Sequence, residues 1–312
     1  MRRAAGAAAA MLAALSLYFM AVYIHMPEAD KTLSEPKSAQ TAAPEAVQTA
    51  APESTPEAQP KPTIIPTTID GGMVIKNRTG YDVDINAVLA EGAPFKLPAG
   101  QPQILIIHTH SSEAYDPAGL DKYEDLGTNR TLDRNLNVIR VGEELANIFR
   151  DCGLEVIHDT QVFDYPSYTG SYTRAAAAIE QHLKQNPSIK MVIDLHRDAL
   201  CSDTVTYKTV AQEKGICASQ IMMIIGTDEY GLEHPHWRDN LRLAVYIQNA
   251  VCQRAPSLMR PIVLTKYRYN QQLTPGSMIL EVGCNGNTLQ EALAAIRLFG
   301  SAAGPALAEL IE

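Results

Sequence analysis

The chain has 312 residues, enough for about two domains of ~150 residues, or for one larger α/β unit with accessory segments. With 26 Lys and Arg against 35 Asp and Glu, a net charge of -9 and no basic run, it lacks the footprint that phosphate backbones require, which excludes a nucleic-acid binder. Its 46% hydrophobic and 20% charged content is that of an ordinary globular domain, so functional signals must come from local segments.

The first such segment is residues 4–24, uncharged throughout and preceded by a tip, residues 1–3, that carries Arg2 and Arg3. As a helix it would reach about 30 Å, the depth of a bilayer core, with the basic tip held on the cytoplasmic side. A cleaved signal peptide would have a shorter apolar core, ~7–15 residues, and small residues at its end. Here the run ends in Ala-Val-Tyr-Ile-His-Met, so a retained single-pass anchor with an extracytoplasmic domain is the expectation.

Residues 25–72 are rich in Pro, Ala, Thr, Glu and Ser and contain no aromatic side chain. Such a stretch cannot bury enough apolar surface to offset chain entropy and reads as a disordered tether. Residues 73–100 read as a lead-in with strand-like pieces at 73–75 and 81–89, and residues 101–312 as the compact domain. Within it, apolar runs at 104–107, 154–157, 191–195, 222–225 and 278–282 read as strands. Helices are expected at 135–152, 174–185, 238–254 and 289–299. The first of these spaces Val138, Val141, Leu145, Ile148 and Cys152 by three and four residues, with Gly153 after it as a stop. Alternation of strands and helices predicts a three-layer α/β domain with a largely parallel sheet. Five cysteines, an odd number without a Cys-x-x-Cys pair, argue against a disulfide framework or a zinc knuckle.

Three of the strands deliver chemistry at or near their carboxyl ends, where open α/β sheets collect ligands. Ile104–Ile107 runs into His108-Thr-His110-Ser-Ser-Glu113; residues 191–195 into His196; and residues 278–282 contain Glu281. Were the first strand to continue, His108 and His110 would project to one side, where both could bind a metal or one could support the other. His110-x-x-Glu113 has the spacing of two ligands in zinc carboxypeptidases. Asp194 and Asp198 flank His196 and are candidates to hold the ring nitrogen that a metal leaves free. Glu281 interrupts an apolar run, where an unpaired carboxylate is costly, and would serve as a general base. Two histidines and one carboxylate around Zn2+ leave a position for water, whose pKa falls towards ~7. That set predicts hydrolysis of an amide. No Gly-x-Ser-x-Gly elbow is present, so a serine nucleophile is the weaker reading.

Four ordered motifs resemble the stage II sporulation protein P family: His-Thr-His-Ser-Ser-Glu-Ala-Tyr115, Asp133-Arg-Asn-x-Asn-Val-x-x-Val-Gly142, Asp-Leu-His-Arg-Asp-Ala199 and Leu-Glu-Val-Gly-x-Asn-x-Asn-Thr-Leu289. The resemblance implies an amidase-like domain and a peptidoglycan hydrolase of spore-forming bacteria, anchored in the mother-cell membrane and facing the forespore. It implies cleavage of the N-acetylmuramoyl-L-alanine amide, an added endopeptidase activity on cross-links, and work alongside stage II sporulation proteins D and M. By the same resemblance to zinc amidases, His108 is the first ligand, His196 the last and Glu281 the base. The middle ligand is Glu113, slightly preferred, or Asp133. A zinc carboxypeptidase using His110, Glu113 and His196, or a non-catalytic cell-wall-binding scaffold, are the alternatives.

Overall fold

The structure, a computed structural model, describes residues 61–312. The expected anchor at 4–24 and most of the tether lie outside the described residues. No helix among the described residues is long and apolar enough to cross a membrane.

Thr63–Thr67 (β1) is already a strand, so the expected unstructured stretch through residue 72 ends earlier than its composition implied. Its partner is Val205–Thr209 (β6), paired in parallel from Thr63 opposite Val205 to Thr67 opposite Thr209. Ile75–Asn77 (β2) follows, and then the lead-in departs from expectation. Residues 81–89 contain no strand. Asp84 instead caps a helix, Ile85–Glu91 (α1), by accepting from the Asn86 N–H.

The core elements are Ile104–Ile107 (β3), Val138–Asp151 (α2), Val156–His158 (β4), Ser171–Gln185 (α3) and Met191–Asp198 (β5). After the hairpin Ala211–Glu213 (β7) and Ile216–Ala218 (β8) come Ile221–Gly226 (β9), Trp237–Arg254 (α4), Ile262–Thr265 (β10), Gly276–Cys284 (β11) and Leu289–Ala308 (α5). Seven strands form one sheet in the order β2-β10-β9-β11-β5-β3-β4. Only the β9–β11 pair is antiparallel, so the largely parallel sheet and mixed α/β fold are as expected.

Side-chain alternation along the strands defines the layers. Ile104 and Ile106 of β3, with Met191, Ile193 and Leu195 of β5 and Met278, Leu280 and Val282 of β11, pack into one apolar cluster with α2, α4 and α5. Leu105, Ile107 and Val192 point the other way, onto Ala175, Ala178 and Ile179 of α3. This two-sided burial explains why the central strands read as unbroken apolar runs.

Candidate active site

β11, β5 and β3 are neighbours, mutually parallel, and their carboxyl ends lie together. In register, Ile107 stands opposite Asp194, and His196 opposite Glu281. By alternation Asp194, His196 and Glu281 all project from the α3 face, the face of Ile107 and Val192.

His196 is fully buried between two carboxylates. Its Nδ1 lies 3.4 Å from Glu113 Oε2, and its Nε2 lies 2.8 Å from Asp194 Oδ1. The second contact is too oblique for a hydrogen bond and acts as a charge contact. Burial pulls the imidazole down, but Asp194 first and Glu113 after it outweigh burial and hold its pKa well above the ordinary value. Asp194 is itself held by the Thr109 N–H at 2.8 Å and the Thr109 hydroxyl at 2.7 Å.

Glu113 reaches the site from the turn after β3. Its backbone N–H donates to His110 O, and its carbonyl accepts from Val138 N at the start of α2. Its carboxylate accepts from the Arg197 backbone N–H at 3.2 Å and pairs with Arg130 at 3.3 Å. Burial raises the Glu113 carboxyl, yet His196 and the charge of Arg197 overcome that and keep it ionised far below the usual range.

His110 completes the cluster. Its ring lies edge-on to His196 with centroids 5.2 Å apart and stacks on Tyr168 at 4.5 Å. Its Nε2 is 2.9 Å from the Tyr168 hydroxyl and its Nδ1 3.4 Å from Ser171 Oγ. Burial lowers its pKa to about 4, so the ring is neutral and has a lone pair to offer.

His108 lies elsewhere. It continues the Ile104, Ile106 face towards α2, across the sheet from His196 and Glu281. Its Nδ1 must donate to the Leu195 carbonyl at 2.8 Å, and its Nε2 meets His158 Nε2 at 2.9 Å. His158 in turn contacts Glu143 Oε2 at 2.9 Å through Nδ1. His108, expected as the first ligand, thus lies on the far side of the sheet from the other candidates. β3 ends at Ile107, so alternation stops, and the following turn carries His110 to the opposite side from His108. Asp133, the second choice for the middle ligand, is exposed and accepts from Asn135 N–H in a local turn. Asp198 does not support His196; it accepts from Arg260 at 2.8 Å and from Ala199 N–H.

A family model for stage II sporulation protein P matches residues 13–303. The chain belongs to the stage II sporulation protein P family. A relative with that name from Bacillus subtilis (strain 168) is 24% identical over 216 residues, covering 65% of this chain and 50% of the relative; the chain spans about half the length of the curated relative it matches. Among solved structures, similarity extends to the CwlD amidase from Clostridioides difficile in complex with the GerS lipoprotein, with TM-score 0.40, 13% identity, 67% of this chain and 98% of that one. The apo N-acetylmuramyl-L-alanine amidase Ami1 from Mycobacterium abscessus gives TM-score 0.40, 10% identity, 68% of this chain and 99% of the other.

In this SpoIIP-family chain Glu281 is the remaining acidic group on the α3 face. Its Oε2 is sealed from solvent and has no hydrogen-bond partner among the described residues. Burial foremost, then the nearby Asp198, lift its pKa to about 8. Just beyond it the strand bulges, with Gly283 at φ 68° and a Cβ there only 2.8 Å from Ser219 Oγ, so no side chain fits this turn.

The donor set suits zinc in kind. Bonds of ~2.0–2.2 Å in a tetrahedron place neighbouring donors ~3.3–3.6 Å apart, and Glu113 Oε2 and His196 Nδ1 are 3.4 Å apart, where zinc would take the place of the proton that the two carboxylates hold on the imidazole. Asp194 lies 2.8 Å from the other nitrogen of His196, the place that a supporting carboxylate takes. His110, the neighbouring imidazole, meets the hydroxyls of Tyr168 and Ser171 through its nitrogens, and among the described residues no group of three or more His, Cys, Asp or Glu side chains is placed to hold a metal ion. Arg130, Arg197, Thr109 and Tyr168 were not singled out from the sequence. Only the placement of Arg197 beside His196 in one strand hinted at them.

Proposed function

We propose that the chain is a zinc-dependent peptidoglycan hydrolase that cleaves the N-acetylmuramoyl-L-alanine amide, using His110, Glu113 and His196 as donors and Glu281 as the acid–base group. The observation that carries the reading is a buried carboxyl with an unpartnered oxygen beside an imidazole–carboxylate pair at tetrahedral-edge spacing, on one face of adjacent parallel strands. Family membership supports the substrate class. When bound, zinc supplies Lewis acidity to an amide carbonyl and acidity to a water.

Each protein group has a task in that reaction. Glu281 Oε2 receives the proton of the attacking water and passes it to the departing amine. Its elevated pKa, near the working range, suits a group that must both take and give a proton. Asp194, fixed by Thr109, keeps the Nδ1 of His196 turned towards Glu113. His196 and the charge of Arg197 keep Glu113 ionised, and Arg130 and the Arg197 N–H hold its carboxylate in place. The reading includes a membrane-tethered setting through residues 4–24, facing the forespore.

His110-x-x-Glu113 is also the ligand spacing of the carboxypeptidase alternative, and the position of His110 beside His196 supports keeping that reading as second. Product analysis on purified sacculi decides between them. The amidase yields glycan strands with free lactyl groups, and the carboxypeptidase yields free terminal amino acids. Glu281→Gln should lower turnover by ~10²–10⁴-fold. Undiminished turnover in that variant sinks the reading.

A further inference from the structure

A succession of aromatic rings leads out of the site. The His110 ring meets Tyr172 edge-on at 5.4 Å, and Tyr172 lies 5.8 Å from Tyr269. Tyr269 is followed by Tyr267 at 6.1 Å and Tyr267 by Tyr230 at 5.1 Å. Exposure rises along the way, from the half-buried Tyr172 to Tyr230 at 65%.

The loop that carries two of these rings is held at a conformational cost. Tyr269 and Asn270 have φ of 47° and 59°, a left-handed region that residues with a Cβ enter rarely. Asn270 Nδ2 donates to Tyr172 O at 2.8 Å and Arg268 to Glu233 O at 3.0 Å, which pins the loop to both neighbouring segments. Beside Tyr267, Lys266 pairs with Glu229 at 2.9 Å. Neutral, ordered phenol faces are therefore presented in series, continuous with the proposed catalytic cluster.

We propose that this tyrosine strip is a subsite for the glycan strand of the polymer. Pyranose rings offer flat C–H faces to aromatic rings and hydroxyls to phenol oxygens, the pairing of apolar body and polar tip that tyrosine provides. An acidic stem peptide would instead call for a row of cations; Lys266 is paired with Glu229 and Arg268 donates to Glu233 O, which leaves the exposed Arg78 beside Tyr269. The inference rests on the proposed hydrolase reading for its choice of polymer.

The test uses the full chain and glycan strands stripped of their peptides, which contain no scissile amide, so binding is read without turnover. Tyr230→Ala combined with Tyr267→Ala should weaken the Kd for these strands about tenfold, equal to ~1.4 kcal/mol. Tyr230→Phe with Tyr267→Phe, which keeps both ring faces, should stay within about threefold and shows that loss of the rings, not of the fold, is responsible. Binding of the isolated stem peptide should not change. Equal strand affinity for wild type and the alanine variant, no strand binding by wild type, or a loss seen only with stem peptide overturns the subsite. Failure of turnover with ring-dependent strand binding intact would sink the hydrolase reading and leave the subsite standing. Normal turnover with ring-independent strand binding would do the reverse.

Discussion

Glu281 carries a burial cost that titration can read. Its carboxyl has a folded pKa of about 8 against 4.5 when solvated, so the folded chain holds this proton over a window where the unfolded chain releases it. Stability from this group is therefore undiminished below about pH 4.5, declines as pH rises, and reaches its minimum above about pH 8. In metal-free protein, Glu281→Gln should then melt increasingly above wild type as pH is raised from about 5 to about 8.5, read by calorimetry. A pH-independent difference would show that the carboxyl is not buried as described. On the other face, Gly142 gives His108 its place: a Cβ there would sit 2.6 Å from the imidazole and 2.9 Å from His158 Nε2. Helix propensity favours alanine by ~0.5–1 kcal/mol, but overpacking against two rings costs ~1–3 kcal/mol, so Gly142→Ala should lower Tm.

At the scale of elements, register does the organising. β5 supplies Val192, Asp194 and His196 to the α3 face and Ile193 and Leu195 to the other, and β11 sets Glu281 beside His196. A single-residue slip between these strands would send the imidazole or the carboxylate into the apolar cluster with α2, α4 and α5. The loop after β11 locks that register. Thr288 caps α5 by accepting from Glu291 N–H, while the Glu291 carboxylate accepts from Thr288 N–H, from Asn287 Nδ2 and from Lys208 at 2.5 Å. Thr288→Ala should cost ~0.5–2 kcal/mol in denaturant unfolding. β1 covers the edge of β6, so deleting residues 63–67 should expose that edge and promote self-association, measured by light scattering.

For the whole molecule, metal binding and stability are linked. An ion at 100 times its Kd adds about 2.7 kcal/mol to a folded state that alone binds it. In a domain of this size that corresponds to a Tm rise of ~5–10 °C. Zinc added to chelator-treated protein should produce that rise in wild type and little in His196→Ala or His110→Ala, whereas His108→Ala should retain it. An unchanged Tm in wild type would sink the zinc assignment, and loss of the shift in His108→Ala would restore His108 as a ligand.

Much of the fold was legible because burial on both sheet faces writes itself as apolar runs: β3, β5, β9 and β11 and the helices after them stand where residue patterns put them. The types of the chemical groups were equally legible, since a Glu inside Met278-Ile-Leu-Glu-Val and histidines at strand ends are unusual in any sequence. Which side of the sheet each histidine faces was not. His108 and His110 differ only in where β3 stops and which layer each turn residue meets, and that depends on Asp194 capturing Thr109 and on Tyr168 and Ser171 receiving His110. Local pattern determines what each segment is; partners distant in the chain decide which way its ends turn, because those hydrogen bonds exist only after the sheet has assembled.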